Sequence, residues 1–422
     1  MIGTGIFTSL GFQVMELHTG MALLALWLLG GITALTGAMA YSELAGRMPR
    51  SGGEYHFLSG IYHPALGFIS GWVSFIVGFA APTAAASMAM SAYLSAALNL
   101  PDKIFGLNLD MLLASLAILA LTWLHATRKR GGAGFQSFVT SLKVIVLLMF
   151  IVAGLLGRGQ ASTEFTLNRE SLGELISPSF AVALFFVSFA YSGWNASAYI
   201  TGEIRNPGRN VPASLITGTL LVTLLYLGIT WVFLRVIPIG LMQGKIEVGF
   251  LFGQELLGKS AARIMGIIFS LLLFSTISSL IITGPRITQV MGEDYRGIRW
   301  FARISRFDTP SRAICAQALL SLAYLFSSTF EQMITYIGFT LNLMTLLTVL
   351  GLMILRHRSR FSAPPPYRLS PYPLLPLLFL LISTWLMVYG MIYRPAESLA
   401  GLLTAGLGYP VWLLLTRNRE AR

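Results

Sequence analysis

The stretch FAYSGWNASAY, residues 189–199, interrupts a long apolar segment with three polar or small residues, Ser192, Gly193 and Asn195. Glycine in a helix interior costs about 1 kcal/mol relative to alanine, and serine and asparagine side chains compete for backbone hydrogen bonds. We therefore expect the helix to unwind here. The first seven residues, MIGTGIF, contain a similar break because Gly3 and Gly5 lie one position apart.

The composition of the chain is that of an integral membrane protein. Of its 422 residues, 55% are hydrophobic and only 11% are charged, and the mean hydropathy is +0.72. A water-soluble domain of this length could not bury so much apolar surface. Apolar stretches of about 20 residues, enough to cross a hydrocarbon core about 30 Å thick, recur along the chain. We predict one all-α transmembrane domain over residues 1–422.

Hydropathy predicts twelve spans, of which the first is incomplete. They are residues 3–16, 20–46, 63–98, 109–127, 133–157, 179–201, 211–235, 260–284, 312–329, 332–355, 373–393 and 397–416. We expect two five-helix halves, 1–157 and 179–355, followed by two additional helices in 373–416.

The basic residues predict the orientation of the chain. Most of the 29 lysines and arginines fall in loops on one side, which the positive-inside rule assigns to the cytoplasm. With an even number of spans, the complete protein has both termini in the cytoplasm, and we expect it in the cell membrane. The charges are dispersed over short loops, so the net charge of +12 indicates contact with a lipid bilayer and no nucleic-acid partner.

The two breaks fall in spans one and six, which are corresponding members of the two halves. Unwound backbone at this depth persists only where it lines a cavity or is buried in protein, and paired breaks mark the binding site of inverted-repeat transporters. Free N–H groups at a half-helix N-terminus attract an anion, and loose carbonyls accept from a cation, so an amino acid zwitterion fits. The alternative is that the glycines only let helices pack closely.

Five stretches resemble the amino acid-polyamine-organocation (APC) transporters, and among them the L-type and bacterial amino acid permeases. They are MIGTGIF (1–7), YSELAGRMPRSGGEYHFL (41–58), FQSFVTSLK (135–143), SFAYSGWNASAYITGEIRNPGRNVP (188–212) and GPRITQVMGED (284–294). The resemblance implies a LeuT-type fold of 5+5 inverted repeats plus two C-terminal helices, working by alternating access. It also implies that the first half-helix is missing: either translation starts upstream or the protein is a shortened, inactive paralogue.

The resemblance further implies the substrate-binding residues, all of them at the two breaks: Ile2, Gly3, Thr4, Gly5, Phe189, Ser192, Gly193, Trp194 and Asn195. The first break would hold the substrate carboxylate through its backbone and hydroxyl donors. The carbonyls of Ile2, Phe189 and Ser192 would accept from the ammonium group. Phe189 also resembles the aromatic gate that closes over bound substrate.

Lys143 lies inside the fifth predicted span, roughly 15 to 20 Å from either surface at 1.5 Å per residue. Its side chain is too short to reach water fully, and a charge at this depth is costly. By the resemblance, Lys143 occupies the place of the cation of sodium-coupled relatives, which implies sodium-independent coupling to protons or exchange. The alternative is a permanently charged structural lysine that bridges spans five and one.

Other polar residues of the later spans either line the pathway or bond to neighbouring helices, and the second role is the commoner one. They are Ser275, Thr276, Ser279 and Asn342. The histidines show no metal-binding spacing, no nucleotide-binding loop is present, and no nucleophile is paired with a base. We therefore expect no metal, no cofactor and no enzymatic activity.

The sequence therefore predicts a secondary transporter of amino acids that runs by proton symport or exchange. We expect a neutral L-amino acid, because the sequence places no acidic residue within the membrane near the breaks to pair with a cationic side chain. The rival interpretation is a receptor that senses amino acids through the same pocket without transporting them. The sequence identifies no accessory subunit.

Overall fold

The computed structural model describes residues 1–104, 106–127, 133–157, 163–307, 309–358 and 366–420, without the side chains of 133–136 and 418–420. In these ranges the regular secondary structure is helical apart from one short hairpin, formed by β1 (Lys103–Ile104) and β2 (Leu107–Asn108). The helices of the first half are α1 (Thr4–Thr8), α2 (Leu10–Glu16), α3 (Gly20–Arg47), α4 (Glu54–Ile61), α5 (Pro64–Val73), α6 (Ala80–Leu98), α7 (Leu109–Thr127) and α8 (Ala133–Leu156).

The remaining helices lie after residue 163. They are α9 (Arg169–Leu175), α10 (Pro178–Tyr191), α11 (Ala196–Tyr199), α12 (Pro207–Val236), α13 (Ile239–Met242), α14 (Val248–Leu257), α15 (Lys259–Asp294), α16 (Ser311–Ser327), α17 (Phe330–His357), α18 (Leu374–Tyr393) and α19 (Pro395–Glu420). A π-helical segment, Ser74–Phe79, joins α5 to α6, and short 3-10 segments follow α11 and α15.

Nine of the described helices are long and apolar enough to cross a membrane, and a tenth span results if α9 and α10, bent by 65°, are taken together. The long helices confirm the all-α membrane fold that the sequence predicts. Three of the twelve predicted spans form no single helix of this length: residues 3–16 form the short helices α1 and α2, 179–201 forms α10 and α11, and 312–329 forms α16, a helix of 17 residues.

The outer surface of the bundle is apolar, as contact with lipid requires. Large hydrophobic side chains of α7, α8, α18 and α19 are exposed, including Leu116, Met149, Leu381 and Leu403. Continuous exposure of this kind is rare on a water-soluble monomer. Together with the long apolar helices, it makes this chain a multi-pass membrane protein.

Helix α4 lies where the sequence predicts only a loop. Gly52 and Gly53 have φ of +128° and +54°, a conformation that glycine adopts at little cost, and they turn the chain back toward the protein after α3. Ser51–Glu54 then enters the interior, and the buried Tyr55, Phe57 and Leu58 side chains fix α4 in the protein. This turn places α4 beside the second break.

Buried aromatic residues hold the broken helices in place. The Tyr93 hydroxyl of α6 donates to the Phe7 carbonyl at 2.8 Å and accepts from the Gly249 N–H at 2.8 Å, which ties α1 to α6 and α14. Around the second break, the Tyr226 ring of α12 packs against Trp27 and Tyr191 at 5.3 and 5.1 Å. Both breaks are therefore enclosed by neighbouring helices.

Candidate substrate-binding site

The second predicted break interrupts a helix, and the non-helical residues of the first, before α1, lie against it. Gly3 precedes α1 with φ −150° and ψ −144°, outside the helical region. The second break separates α10 from α11, and Gly193 within it has φ +88°. A Cβ atom on Gly5 would lie 2.2 Å from Cα of Ala190, and one on Gly193 would lie 3.3 Å from the Met1 nitrogen. The close-packing interpretation therefore holds for Gly5, whereas Gly193 is needed for its backbone conformation.

One side chain connects the two breaks, and sequence analysis missed it. The buried Tyr226 hydroxyl lies 2.8 Å from the Met1 carbonyl and 3.2 Å from the Ala190 carbonyl. A single hydroxyl proton can serve either carbonyl, so Tyr226 holds both chain segments at one point. A tyrosine in an apolar helix carries no signal in the sequence that would distinguish it from core packing.

A cavity of about 600 Å³ opens between the breaks, and all nine predicted substrate-binding residues line it: Ile2, Gly3, Thr4, Gly5, Phe189, Ser192, Gly193, Trp194 and Asn195. The remaining lining comes mainly from α3, α8, α10, α12, α15, α17 and the π-helical segment Ser74–Phe79. A cavity of this size is within the range of small-molecule sites and accommodates an amino acid.

The backbone at both breaks retains groups that can bind a ligand. No side chain caps α1, so the N–H groups of its first turn, at residues that line the cavity, are open to an anion. Ser9 continues α1 into α2 in helical conformation. At the second break, the Phe189 carbonyl accepts from the Ser192 N–H at 3.0 Å, which leaves one of its two lone pairs for a ligand.

The two predicted aromatic residues are held differently. Phe189 is buried in the wall of the cavity. Trp194 packs edge to face on Tyr41 of α3 at 4.8 Å and near Phe379 of α18 at 6.3 Å. Its ring also lies so close to Gly37 that a Cβ there would be 2.8 Å away. Trp194 is therefore wedged between α3 and α18 and forms a fixed part of the cavity wall.

Lys143 is buried at the edge of the cavity, with its side chain bonded to α15. Its Nζ donates to the Thr276 hydroxyl at 2.8 Å, and the Thr276 hydroxyl in turn donates to the Leu272 carbonyl. A Cβ on Gly3 would lie 3.3 Å from the Thr276 methyl group. The lysine thus bridges α8 and α15 beside the first break.

Three of the four predicted pathway residues line the cavity. Thr276 and Ser279 do so from α15, together with Leu280 and Thr283, which form one face at helical spacing. Ser275 is not among the described residues that line it, because it lies about 100° around the helix from Thr276. Its carbonyl instead accepts from the Ser279 hydroxyl at 3.0 Å.

Asn342 combines both of the roles that were considered for it. It lies on α17 and lines the cavity, while its side-chain amide donates to the Ser383 carbonyl of α18 at 3.0 Å. The bond fixes the amide between the cavity and the first of the two additional helices.

Glu54 corrects the argument for a neutral cargo. The sequence places this residue in a loop, but the structure buries its carboxylate in the cavity wall, where Oε1 accepts from the Asn195 amide at 2.5 Å. An acidic residue therefore does lie beside the second break. The expectation that no acidic residue lies near the breaks was wrong, because the Gly52–Gly53 turn, which carries α4 inward, cannot be distinguished by hydropathy from an ordinary surface turn.

Polar contacts join several helices near the start of α4. Asp294 accepts from the Tyr55 hydroxyl at 2.5 Å and pairs with Arg50 at 3.3 Å. Burial and the neighbouring Asp294 carboxylate raise the pKa of Tyr55 well above its usual range, so its hydroxyl remains a donor. Glu43 is fully buried and pairs with Arg47 and Arg356, which joins α3 to α17.

Comparison with known proteins places the chain in a family. The family described as "Amino acid permease" matches residues 1–407. The chain is 27% identical over 398 residues to b(0,+)-type amino acid transporter 1 of Mus musculus, covering 94% of this chain and 80% of that protein. It is 28% identical over 422 residues to large neutral amino acids transporter small subunit 2 of Mus musculus (98% and 78%) and of Homo sapiens (98% and 77%). The broken helices, the enclosed cavity and the match over almost the whole length agree, and the chain belongs to the amino acid permease family of the APC superfamily.

Proposed function

We propose that this protein is a secondary active transporter that carries neutral L-amino acids across the cytoplasmic membrane by alternating access, as proton symport or exchange. The observation that carries the proposal is the cavity between two facing, unwound segments. Family membership supports an amino acid as the cargo. The name of the relative described as a large neutral amino acids transporter supports neutral side chains.

The backbone of the two breaks binds the common part of every amino acid. The first turn of α1, at Gly3–Gly5, holds the carboxylate, and the carbonyls of Ile2, Phe189 and Ser192 accept from the ammonium group. Phe189 closes over the substrate. The side chain of the substrate points toward Trp194, Asn195 and the lining residues of α15 and α17, which set the specificity.

Lys143 couples transport to protons in this proposal. Its position beside the first break allows its ammonium group to take the place of a metal cation. Loss of its proton would weaken the bond to Thr276 and release the first break for a change of conformation. Alternating access moves the two halves, 1–157 and 179–355, relative to each other, and both termini of the complete protein lie in the cytoplasm.

The proposal is tested by uptake of radiolabelled L-leucine into proteoliposomes that contain the purified protein. We expect accumulation that is unchanged when sodium is replaced by choline, that responds to an imposed pH gradient or to internal amino acid, and that unlabelled neutral amino acids inhibit. Binding without accumulation would instead identify an amino acid receptor. Uptake that requires sodium would contradict the role of Lys143.

A further inference from the structure

Glu54 is the one acidic residue among the described residues that line the cavity. Its side chain is 3% exposed, and Oε1 accepts two hydrogen bonds, from the Tyr41 hydroxyl of α3 at 2.8 Å and from the Asn195 amide at 2.5 Å. Oε2 is buried and, among the described residues, has no hydrogen-bond partner. The carboxylate therefore uses a single oxygen to connect α3, α4 and the second break.

Asn195 bonds to Glu54 and does not cap the helix that follows it, α11. Asn195 precedes the first residue of α11, where an asparagine side chain usually accepts from the helix's own N–H groups. Here it makes no capping hydrogen bond, and its amide donates to Glu54 instead. The conformation of the second break is thus set from α4 and not by the capping preference of its own sequence.

Further contacts join the start of α4 to the region after the second break. The Gly202 N–H donates to the Ser51 hydroxyl at 3.0 Å, and the Gly52 N–H donates to the Tyr199 carbonyl at 3.1 Å. The Tyr199 ring lies so close to Gly53 that a Cβ there would be 2.6 Å away. Residues 51–54 and 195–202 therefore form one packed unit, with the Glu54–Asn195 bond at its inner, cavity-facing edge.

We propose that Glu54 is a positioning residue for substrate binding, which holds the second break in its binding conformation through Asn195. The inference rests on the proposed function, because it requires that the second break binds part of the amino acid. Binding groups must be kept within about 0.5 Å of their productive positions by residues that are themselves fixed. Glu54 meets this condition, since Tyr41 orients the same oxygen that accepts from Asn195.

The inference is tested with four variants assayed for L-leucine uptake: Glu54→Ala, Glu54→Gln, Asn195→Ala and the double variant Glu54→Ala/Asn195→Ala. Glutamine retains an acceptor oxygen for both donors, and its amide group takes the place of the unpartnered Oε2. We expect Glu54→Ala to raise the apparent KM at least about tenfold, as loss of bonds to a charged acceptor implies, with a smaller effect on the maximal rate. Glu54→Gln should restore a KM close to that of the wild type.

The double variant measures whether Glu54 acts through Asn195. We expect its KM to equal that of the more impaired single variant, because the two residues serve one contact. Glu293→Ala is the matched control: Glu293 is exposed near the end of α15 and should leave KM unchanged. The amount of folded protein is measured for each variant by fluorescence-detected size-exclusion chromatography, and Asn195→Ala carries the test if Glu54→Ala does not fold.

Three results would overturn the inference. They are an unchanged KM in Glu54→Ala, equal impairment of Glu54→Gln and Glu54→Ala, and additive effects in the double variant. Equal impairment would show that the negative charge itself serves the cargo or a proton. Failure of the wild type to accumulate leucine would contradict the proposed function instead, and the same variants are then compared by their Kd for leucine. A wild type that neither binds nor accumulates leucine would overturn both proposals.

Discussion

Gly5 determines how closely the first break approaches the second. A Cβ atom at this position would lie 2.2 Å from Cα of Ala190 and 2.9 Å from its backbone nitrogen. The clash is with backbone, so no side-chain rotation relieves it. The glycine that the sequence presents as a helix breaker therefore also lets α1 and α10 come into contact.

We predict that Gly5→Ala destabilises the protein by about 1 to 3 kcal/mol, the usual cost of overpacking, and abolishes leucine uptake. The loss of stability is measured as the unfolding temperature in detergent, with the folded fraction monitored by size-exclusion chromatography. The matched control is Gly173→Ala on α9, where a Cβ meets no atom within 4 Å, so that variant should be as stable as the wild type or slightly more stable. Equal thermal stability of Gly5→Ala and the wild type would contradict the contact between α1 and α10.

Lys143→Ala tests the proposed coupling of transport to protons. The variant loses a buried hydrogen bond from a charged donor, which contributes about 1.5 to 3 kcal/mol, or roughly a 10- to 100-fold effect. We predict that leucine uptake falls by this factor or no longer responds to pH, while the amount of protein in the membrane is unchanged. Lys259→Ala, at the exposed start of α15, is the control. Undiminished and equally pH-dependent uptake by Lys143→Ala would contradict its role in coupling.

At the scale of elements, the sequence predicts the features that depend on local residue type. The second break lies at Ser192–Asn195 because glycine and polar side chains make unwinding inexpensive there, whatever the rest of the fold. Most of the long helices also begin and end within a few residues of their predicted limits, since crossing a membrane requires a continuous apolar stretch. These properties can be predicted from the sequence because they do not depend on contacts between residues that are far apart in the chain.

The elements that sequence reasoning missed depend on tertiary contacts. Helix α4 is held by its buried face, and α15 continues to Asp294, ten residues past its predicted end, although Pro285 removes one hydrogen bond. The end of α15 is retained by contacts such as that between Asp294 and Tyr55. For the same reason, neither Glu54 nor Tyr226 could be assigned to the site: their partners are distant in sequence.

Helix α4 also gives the protein a pH-dependent stability. Burial and the nearby Arg50 lower the pKa of His56, and Asp294 opposes them. The unfolded chain therefore takes up a proton at His56 below about pH 6.5, its usual pKa, before the folded protein does. We predict that His56 does not reduce the free energy of unfolding above that pH. The free energy of unfolding should then decrease as the pH falls toward the lowered pKa of His56.

This loss is measured as the unfolding temperature between pH 7.5 and 5.5 in detergent. His56→Gln should make the decrease shallower, because glutamine does not titrate. His357→Gln, which changes an exposed histidine at the end of α17, serves as the matched control and should leave the decrease unchanged. An identical pH profile for His56→Gln and the wild type would contradict the burial of this ring.

At the scale of the whole molecule, two groups of polar contacts tie the helices together. Near the start of α4, Asp294 joins α15 to Tyr55 and Arg50. At another site, Arg394, between α18 and α19, pairs with Glu16 of α2 and Glu331 of α17. In the proposed alternating access, one side of the protein opens while the other stays closed, so we expect the strength of each group of contacts to bias the conformational equilibrium.

The end closed by Asp294 is the cytoplasmic one in the proposed topology, and weakening it should favour the inward-open state. Asp294→Ala removes a hydrogen bond to a charged acceptor, which contributes about 1.5 to 3 kcal/mol, and an exposed ion pair, which adds about 1 kcal/mol or less, so the bias is roughly tenfold or more. We predict that a cysteine introduced at Thr283, which lines the cavity, reacts about tenfold faster or more with a membrane-impermeant thiol reagent added from the cytoplasmic side. The measurement uses Cys315→Ser, which removes the single native cysteine, and Glu293→Ala as the control. A labelling rate that is unchanged, or that rises from the opposite side, would show that Asp294 does not hold this end closed.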